Sequence, residues 1–135
     1  MKILGKTIIL KSIDINDSIF IYKLRRRKKI SNYLHKPPQS IFNQRAWIKK
    51  NLSNKNVKDF IIIDKKNNKK IGTIAFDNIK NKYAEWGRWI CTGNSYQNIE
   101  AVVLLLDYGF KKLKLNNIYS LKNYNNKSVV NFHKS

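Results

Sequence analysis

The sequence predicts a single α+β domain whose elements run β-α-α-β-β-β-α-β-α. Three observations predict it. Residues 59–90 read as three strands in succession joined by tight asparagine turns, an antiparallel meander. The stretch Tyr83–Phe110, YAEWGRWICTGNSYQNIEAVVLLLDYGF, reads as a strand, a short polar loop and a long apolar helix. Past it come one more short strand and then, from Asn126, a segment expected to be helical.

Taken in order, Lys6–Ile13 is rich in β-branched residues and is expected as the first strand. Asp14 or Asp17 can cap the following helix, and Asp17 is the preferred cap because the apolar periodicity of Ile19, Ile21, Tyr22 and Leu24 starts after it. A short helical piece, Lys29–Leu34, must end before Pro37 and Pro38. Ser40 opens another helix, with Ile41, Ala46, Trp47 and Ile48 as its expected buried stripe. Strands Asp59–Asp64 and Lys70–Asn78 follow, turned by Asn67-Asn68, and a third starts at Lys82 or Tyr83 after a turn at Asn81. The long helix, Gln97–Leu113, carries Ala101, Leu104, Leu105, Tyr108 and Leu113 on one face. Asn116–Leu121 is the fifth strand and Asn126–Lys134 the last helix.

Bulk properties narrow the function classes. No apolar run approaches the roughly 18 residues that span a bilayer, and Lys6 and Lys11 interrupt the start, which lacks a small-residue cleavage site, so neither membrane span nor signal peptide is expected. The single cysteine, Cys91, fits a reducing cytoplasm. His35 and His133 are the only histidines and neither has a thiolate at metal-ligand spacing, so no metal is expected. The net charge of +20 would ordinarily suggest nucleic acid. Most of that charge is lysine dispersed among asparagines, and the one compact cluster, Arg25–Lys29, closes a helix whose dipole favours cations there. An RNA-binding module would also interleave aromatics with the cations, and Tyr33, Trp47 and Tyr83 form no such set. A small anionic ligand uses the same field equally well.

The chemistry concentrates in Tyr83–Phe110. A strand that feeds a loop into a helix N-terminus is a recurrent phosphate cradle, because unpaired N–H groups and the helix dipole converge there. Strict alternation along Tyr83–Ile90 would set Glu85 and Trp89 on the face opposite Ile90. Gly87 either admits a close approach of backbone or ligand or marks a bulge.

Together with NNKSVVNFHKS, these segments resemble the GNAT superfamily of N-acetyltransferases. The resemblance implies an α+β mixed sheet that splays open between its fourth and fifth strands, and acetyl-CoA as the acetyl donor. It sets Trp89, Ile90 and Cys91 along the pantetheine arm, with a backbone N–H polarising the thioester carbonyl. In the pyrophosphate loop, CTGNSYQNIEA departs from the family's Gln/Arg-x-x-Gly-x-Gly/Ala pattern. Either Gln97 matches the leading Gln and Glu100 then stands in place of Gly, or Gly93–Asn98 forms the loop with Gly93, Asn94 and Asn98 turning it. The terminal segment resembles the family's Asn-x-x-Ala-x-x-x-Tyr-x-x-x-Gly-Phe, which implies a cofactor contact at Asn126 and a general acid at His133. Glu85 is the only carboxylate on the catalytic strand and the expected general base.

The opening residues, the helix with Gln44 and Trp47, and the phrase EWGRWI resemble the amino-sugar-nucleotide acetyltransferases somewhat more than the ribosomal-protein N-terminal acetyltransferases. The expected acceptor is accordingly a nucleotide-linked primary amine. The family continues past the terminal helix with Gly-Phe and two further strands, so the sequence is expected to be a truncated domain whose fifth strand offers an unpaired edge for dimerisation. A catalytically impaired remnant is the alternative.

Overall fold

The computed structural model describes residues 1–27, 40–121 and 129–133. Seven strands form one sheet in chain order: β1 (Lys2–Leu4), β2 (Ile8–Ser12), β3 (Lys58–Asp64), β4 (Lys69–Lys80), β5 (Tyr83–Cys91), β6 (Asn117–Leu121) and β7 (Val129–His133). Every neighbouring pair is antiparallel except β5 and β6, which run parallel. Among the described residues three α-helices cover the sheet: α1 (Ser18–Arg25), α2 (Ile41–Leu52) and α3 (Ser95–Lys111).

Period-two alternation in β3 divides the core between the two faces. Phe60 and Ile62 point with Leu10, Ile74 and Phe76 toward Ala101 and Leu105 of α3. Ile61 and Ile63 point the other way, onto Ile21 of α1 and Ile48 of α2. The expected stripe of α3 is the observed one, with Leu104, Tyr108 and Leu113 packed around its two fully buried residues. On α2 the stripe differs: Ile41 and Ala46 are exposed, and Gln44 and Ile48 are buried.

The N-terminal strand expected as one piece is a hairpin. Gly5 donates to Ile8 O at 2.8 Å, and its backbone lies so close to Leu104 that a Cβ would come within 2.6 Å of Leu104 Cδ1. Asp17 holds the N-cap position of α1 as expected but makes no side-chain cap bond there; the side-chain cap is one turn earlier, where Asp14 caps a 3₁₀ turn (Ile15–Asp17) and Asp17 completes the capping box. The fully buried Asp17 carboxylate also pairs with Lys70 at 2.6 Å and Lys11 at 3.3 Å. Ser40 caps α2 as expected, accepting from Asn43 N at 3.1 Å. The asparagine turns hold as well: Asn68 has φ 59°, and Asn81 and Lys82 have φ 52° and 67°, the paired positive values of a tight hairpin turn. The short helix expected at Lys29–Leu34 lies outside the described residues.

The end of the chain departs from expectation. Val129–His133 is a strand, not part of a helix, and it pairs antiparallel with β6 from Leu121↔Val129 to Asn117↔His133. The run Val-Val-Asn-Phe-His has strand rather than helix preference, and β6 offers it a row of backbone partners. The edge of the fifth expected strand is therefore filled, and the expected dimerisation through that edge loses its premise.

Candidate active site

The sheet opens where β5 and β6 part. Their parallel pairing covers only Tyr83↔Asn117, Ala84↔Ile118 and Glu85↔Tyr119, and from Trp86 onward β5 keeps its β4 neighbour alone. The loop after Cys91 carries the chain into α3, so the opening and the N-terminus of α3 adjoin.

A bulge in β5 decides which side chains meet there. Thr73 pairs with Ile90 and Ala75 with Gly87, so Arg88 and Trp89 together oppose Ile74. Arg88 sits at φ 45°. The extra residue ends the strict alternation assumed from sequence. Trp89 joins Trp86, their ring centroids 5.6 Å apart, instead of sharing a face with Glu85. Glu85 stands opposite Asp77 on one side and Tyr119 on the other, and accepts from Asn78 Nδ2 at 3.1 Å. Burial, reinforced by the Glu85 and Asp77 carboxylates, pushes the Tyr119 phenol above its ordinary value and keeps it protonated. Above Gly87 there is open space: a Cβ built there meets nothing within 4 Å.

At the head of α3, Asn94 is the N-cap and forms a reciprocal box with Gln97. Asn94 Oδ1 accepts from Gln97 N at 2.9 Å, and Gln97 Oε1 accepts from Asn94 N at 3.1 Å. Gln97 is buried and its Nε2 donates to Asp64 Oδ2 at 3.2 Å, which holds that carboxyl below its usual range. The Gln97 side chain is thus committed to Asn94 and Asp64, and Asn98 N is committed to Asn94 O. Among the described residues, the N–H groups of Ser95 and Tyr96 at the first positions of α3 have no partner. A cleft of about 410 Å³ reaches the same cap at Asn94 and Gln97, and is lined also by Lys6, Thr7, Asp64, Lys65 and Lys66. Free N–H groups at a helix N-terminus beside three lysines suit a phosphate, so the residues present fit a CoA diphosphate.

Glu100, which stands in place of glycine in the alignment that takes Gln97 as the leading Gln, has a structural task. Its carboxylate accepts from Lys6 N at 2.6 Å, Thr7 N at 2.9 Å and Thr7 Oγ1 at 2.6 Å, tying the β1–β2 turn to α3. The Cys91 thiol is half-buried and burial pushes it above its ordinary value, against a bond from Gly93 N–H.

The structure therefore brings Trp89, Ile90, Cys91, Gly93, Asn94, Gln97 and Asn98 to the β5–α3 junction, and sets Glu85 near the beginning of β5, at the last pair that β5 makes with β6. It does not bring His133 there. His133 is opposite Asn117, which is opposite Tyr83, so it lies across β6, level with the beginning of β5. Cys91 is at the other end of that nine-residue strand, roughly 26 Å away at the usual rise per residue. Asn126 lies outside the described residues. Two residues escaped the sequence reading. Tyr119 could have been found from its place in a short strand expected beside the catalytic one. Arg88 could not, because strand alternation does not reveal a bulge.

Residues 7–135 match the family described as the acetyltransferase (GNAT) domain, and the chain belongs to that family. It is accordingly an N-acetyltransferase that uses acetyl-CoA. Among solved structures, FdhC, a nucleotide-linked sugar GNAT in its apo form, is 27% identical, with 89% of this chain and 71% of that one covered at a TM-score of 0.77. RimL, a ribosomal-protein α-N-acetyltransferase in complex with coenzyme A, shares the fold at 16% identity, covering 89% and 73% with a TM-score of 0.78. The spermidine N-acetyltransferase of Vibrio cholerae, in complex with CoA and spermine, is similar at 22% identity, covering 86% and 71% with a TM-score of 0.76. No curated protein matches the sequence significantly. No described helix is long and apolar enough to cross a membrane.

Proposed function

We propose that this chain acetylates the primary amine of an amino-sugar nucleotide, in the cytoplasm, with Glu85 as general base. The observation that carries the chemistry is the opening of the sheet at Glu85↔Tyr119, with free space over Gly87, the next residue on the same side of β5. The observation that favours this acceptor is the likeness to a nucleotide-linked sugar GNAT at 27% identity over 89% of the chain.

The bound acetyl-CoA supplies an acyl thioester. Glu85 takes a proton from the attacking amine as the new C–N bond forms and the C–S bond breaks. Tyr119, kept protonated beside two carboxylates, gives a proton to the departing thiolate in the role that the sequence assigned to His133. Backbone at the bulge polarises the thioester carbonyl, while Trp89, Ile90 and Cys91 line the cofactor arm. Ser95 and Tyr96 N–H, within the Gly93–Asn98 turn, receive the diphosphate, and Gln97 contributes by fixing that turn.

The test is CoA release from acetyl-CoA with three acceptor classes: amino-sugar nucleotides, a ribosomal-protein N-terminal peptide and spermidine. Turnover with the sugar nucleotides at the highest kcat/KM supports the reading. Preference for the peptide returns the ribosomal-protein alternative, and no release with any acceptor returns the impaired remnant.

A further inference from the structure

Arg88 carries a conformation that its own neighbour could adopt more easily. A positive φ is uncommon for an L residue with a long side chain and is natural for glycine. Gly87 is adjacent, yet among the described residues no glycine has positive φ, and Arg88 stands at 45°. The surroundings account for it. Arg88 Nη1 pairs with Asp59 Oδ1 on β3 at 2.9 Å, and Nη2 with Asp77 Oδ1 on β4 at 2.8 Å. The guanidinium also stands over the Trp47 ring of α2, 5.1 Å from its centroid. Its carbonyl, displaced from the ladder, accepts from Thr73 Oγ1 at 3.0 Å. The side chain is mostly buried, at 14% exposure, so these ion pairs are little screened by solvent.

The consequence is positional. Turning Arg88 onto the carboxylates sends Trp89 to the face of Trp86 and leaves the extra residue of the bulge out of the β4 ladder, in the part of β5 that lies beyond its last pair with β6. We propose that Arg88 is a positioning residue for acetyl transfer: its forked pairing with Asp59 and Asp77 locks the β5 bulge in the conformation that polarises the thioester carbonyl. This rests on the acetyl-CoA site described above. A planar fork that bridges two carboxylates on different strands is a task for arginine, and lysine keeps the charge without the fork.

The experiment compares wild type with Arg88→Lys, Arg88→Gly and Asp77→Asn, reading the infrared carbonyl band of bound acetyl-CoA labelled with ¹³C at the acetyl carbonyl, beside its Kd and kcat. Wild type is expected to lower the band frequency on binding. In Arg88→Lys the band returns toward its free position and kcat falls roughly tenfold or more, with the acetyl-CoA Kd within about threefold of wild type. Arg88→Gly separates backbone from clamp, since glycine takes φ 45° freely: it too loses the band shift if the ion pairs do the locking. Asp77→Asn leaves the Asp59 pair in place and is expected to lose part of the shift, which keeps the inference testable if Arg88→Lys fails to fold. Variants that keep both the wild-type band and the wild-type kcat overturn the inference while leaving the cofactor site standing. A wild type that binds acetyl-CoA with no band shift overturns the polarising role of the bulge and the inference with it.

Discussion

Glu85 and Tyr119 are the last residues that β5 and β6 hold in parallel register before the two strands part. The carboxylate and the phenol thus share the crotch of the opening, where a base and an acid would act on opposite sides of one reacting carbon.

Tyr119→Phe should lower kcat about 10²-fold, in the ordinary range for a lost proton donor, without changing acetyl-CoA affinity. Because burial and the neighbouring carboxylates raise the phenol, wild-type kcat should stay flat past the ordinary tyrosine range and fall only above it. A pH–rate profile of wild type and variant checks this: the alkaline limb should belong to wild type alone.

Gly87 offers a different kind of test. Its Cβ position is open, so Gly87→Val should fold with a melting temperature close to wild type. The new side chain would occupy the space beside Glu85 and raise the acceptor KM by about tenfold or more. Calorimetry with steady-state kinetics separates the two effects.

His133→Phe should leave kcat within about twofold of wild type. The register sets His133 of β7 opposite Asn117, with β6 and its Tyr119 between it and Glu85. A large loss of kcat with unchanged acetyl-CoA affinity would return the acid role to His133.

Glu100→Gln tests the tie between the β1–β2 turn and α3. Burial opposes ionisation of Glu100, but bonds from the Thr7 side chain and the Lys6, Thr7 and Ile8 backbone outweigh it and hold its carboxyl below the ordinary value. A folded-state value below the unfolded one gives stability that is present above the unfolded value and lost as pH falls through the folded one. Wild type should therefore exceed the variant by about 1 kcal/mol near neutrality, for charge-assisted bonds that are partly solvated. The gap should close below about pH 4, the ordinary glutamate range. Denaturant unfolding at several pH values measures it.

The architecture was legible because the signals were local. Ser40, Asn68 and Asn81 each bring a cap or turn chemistry that acts within a few residues, and α3 shows its core face by spacing alone. Glu85 could be singled out for a similar reason, as the lone carboxylate of its strand, and its role remains a proposal. The bulge at Arg88 was not, because its causes lie on β3 and β4 in Asp59 and Asp77. The last segment misled because the family pattern read through Asn126 and His133 favours a helix, whereas Val129 and Val130 prefer the strand that β6 can pair. Gln97 was expected as a cofactor contact; that it sits within α3 and fixes the cap is revealed only by its contacts with Asn94 and Asp64.

The most direct test of the account is single-turnover transfer from acetyl-CoA to an amino-sugar nucleotide by wild type and Glu85→Gln, with acetyl-CoA affinity measured alongside. The account predicts a rate about 10²–10⁴-fold lower in the variant, as for a lost general base, at an unchanged Kd. Transfer by Glu85→Gln at the wild-type rate would contradict it.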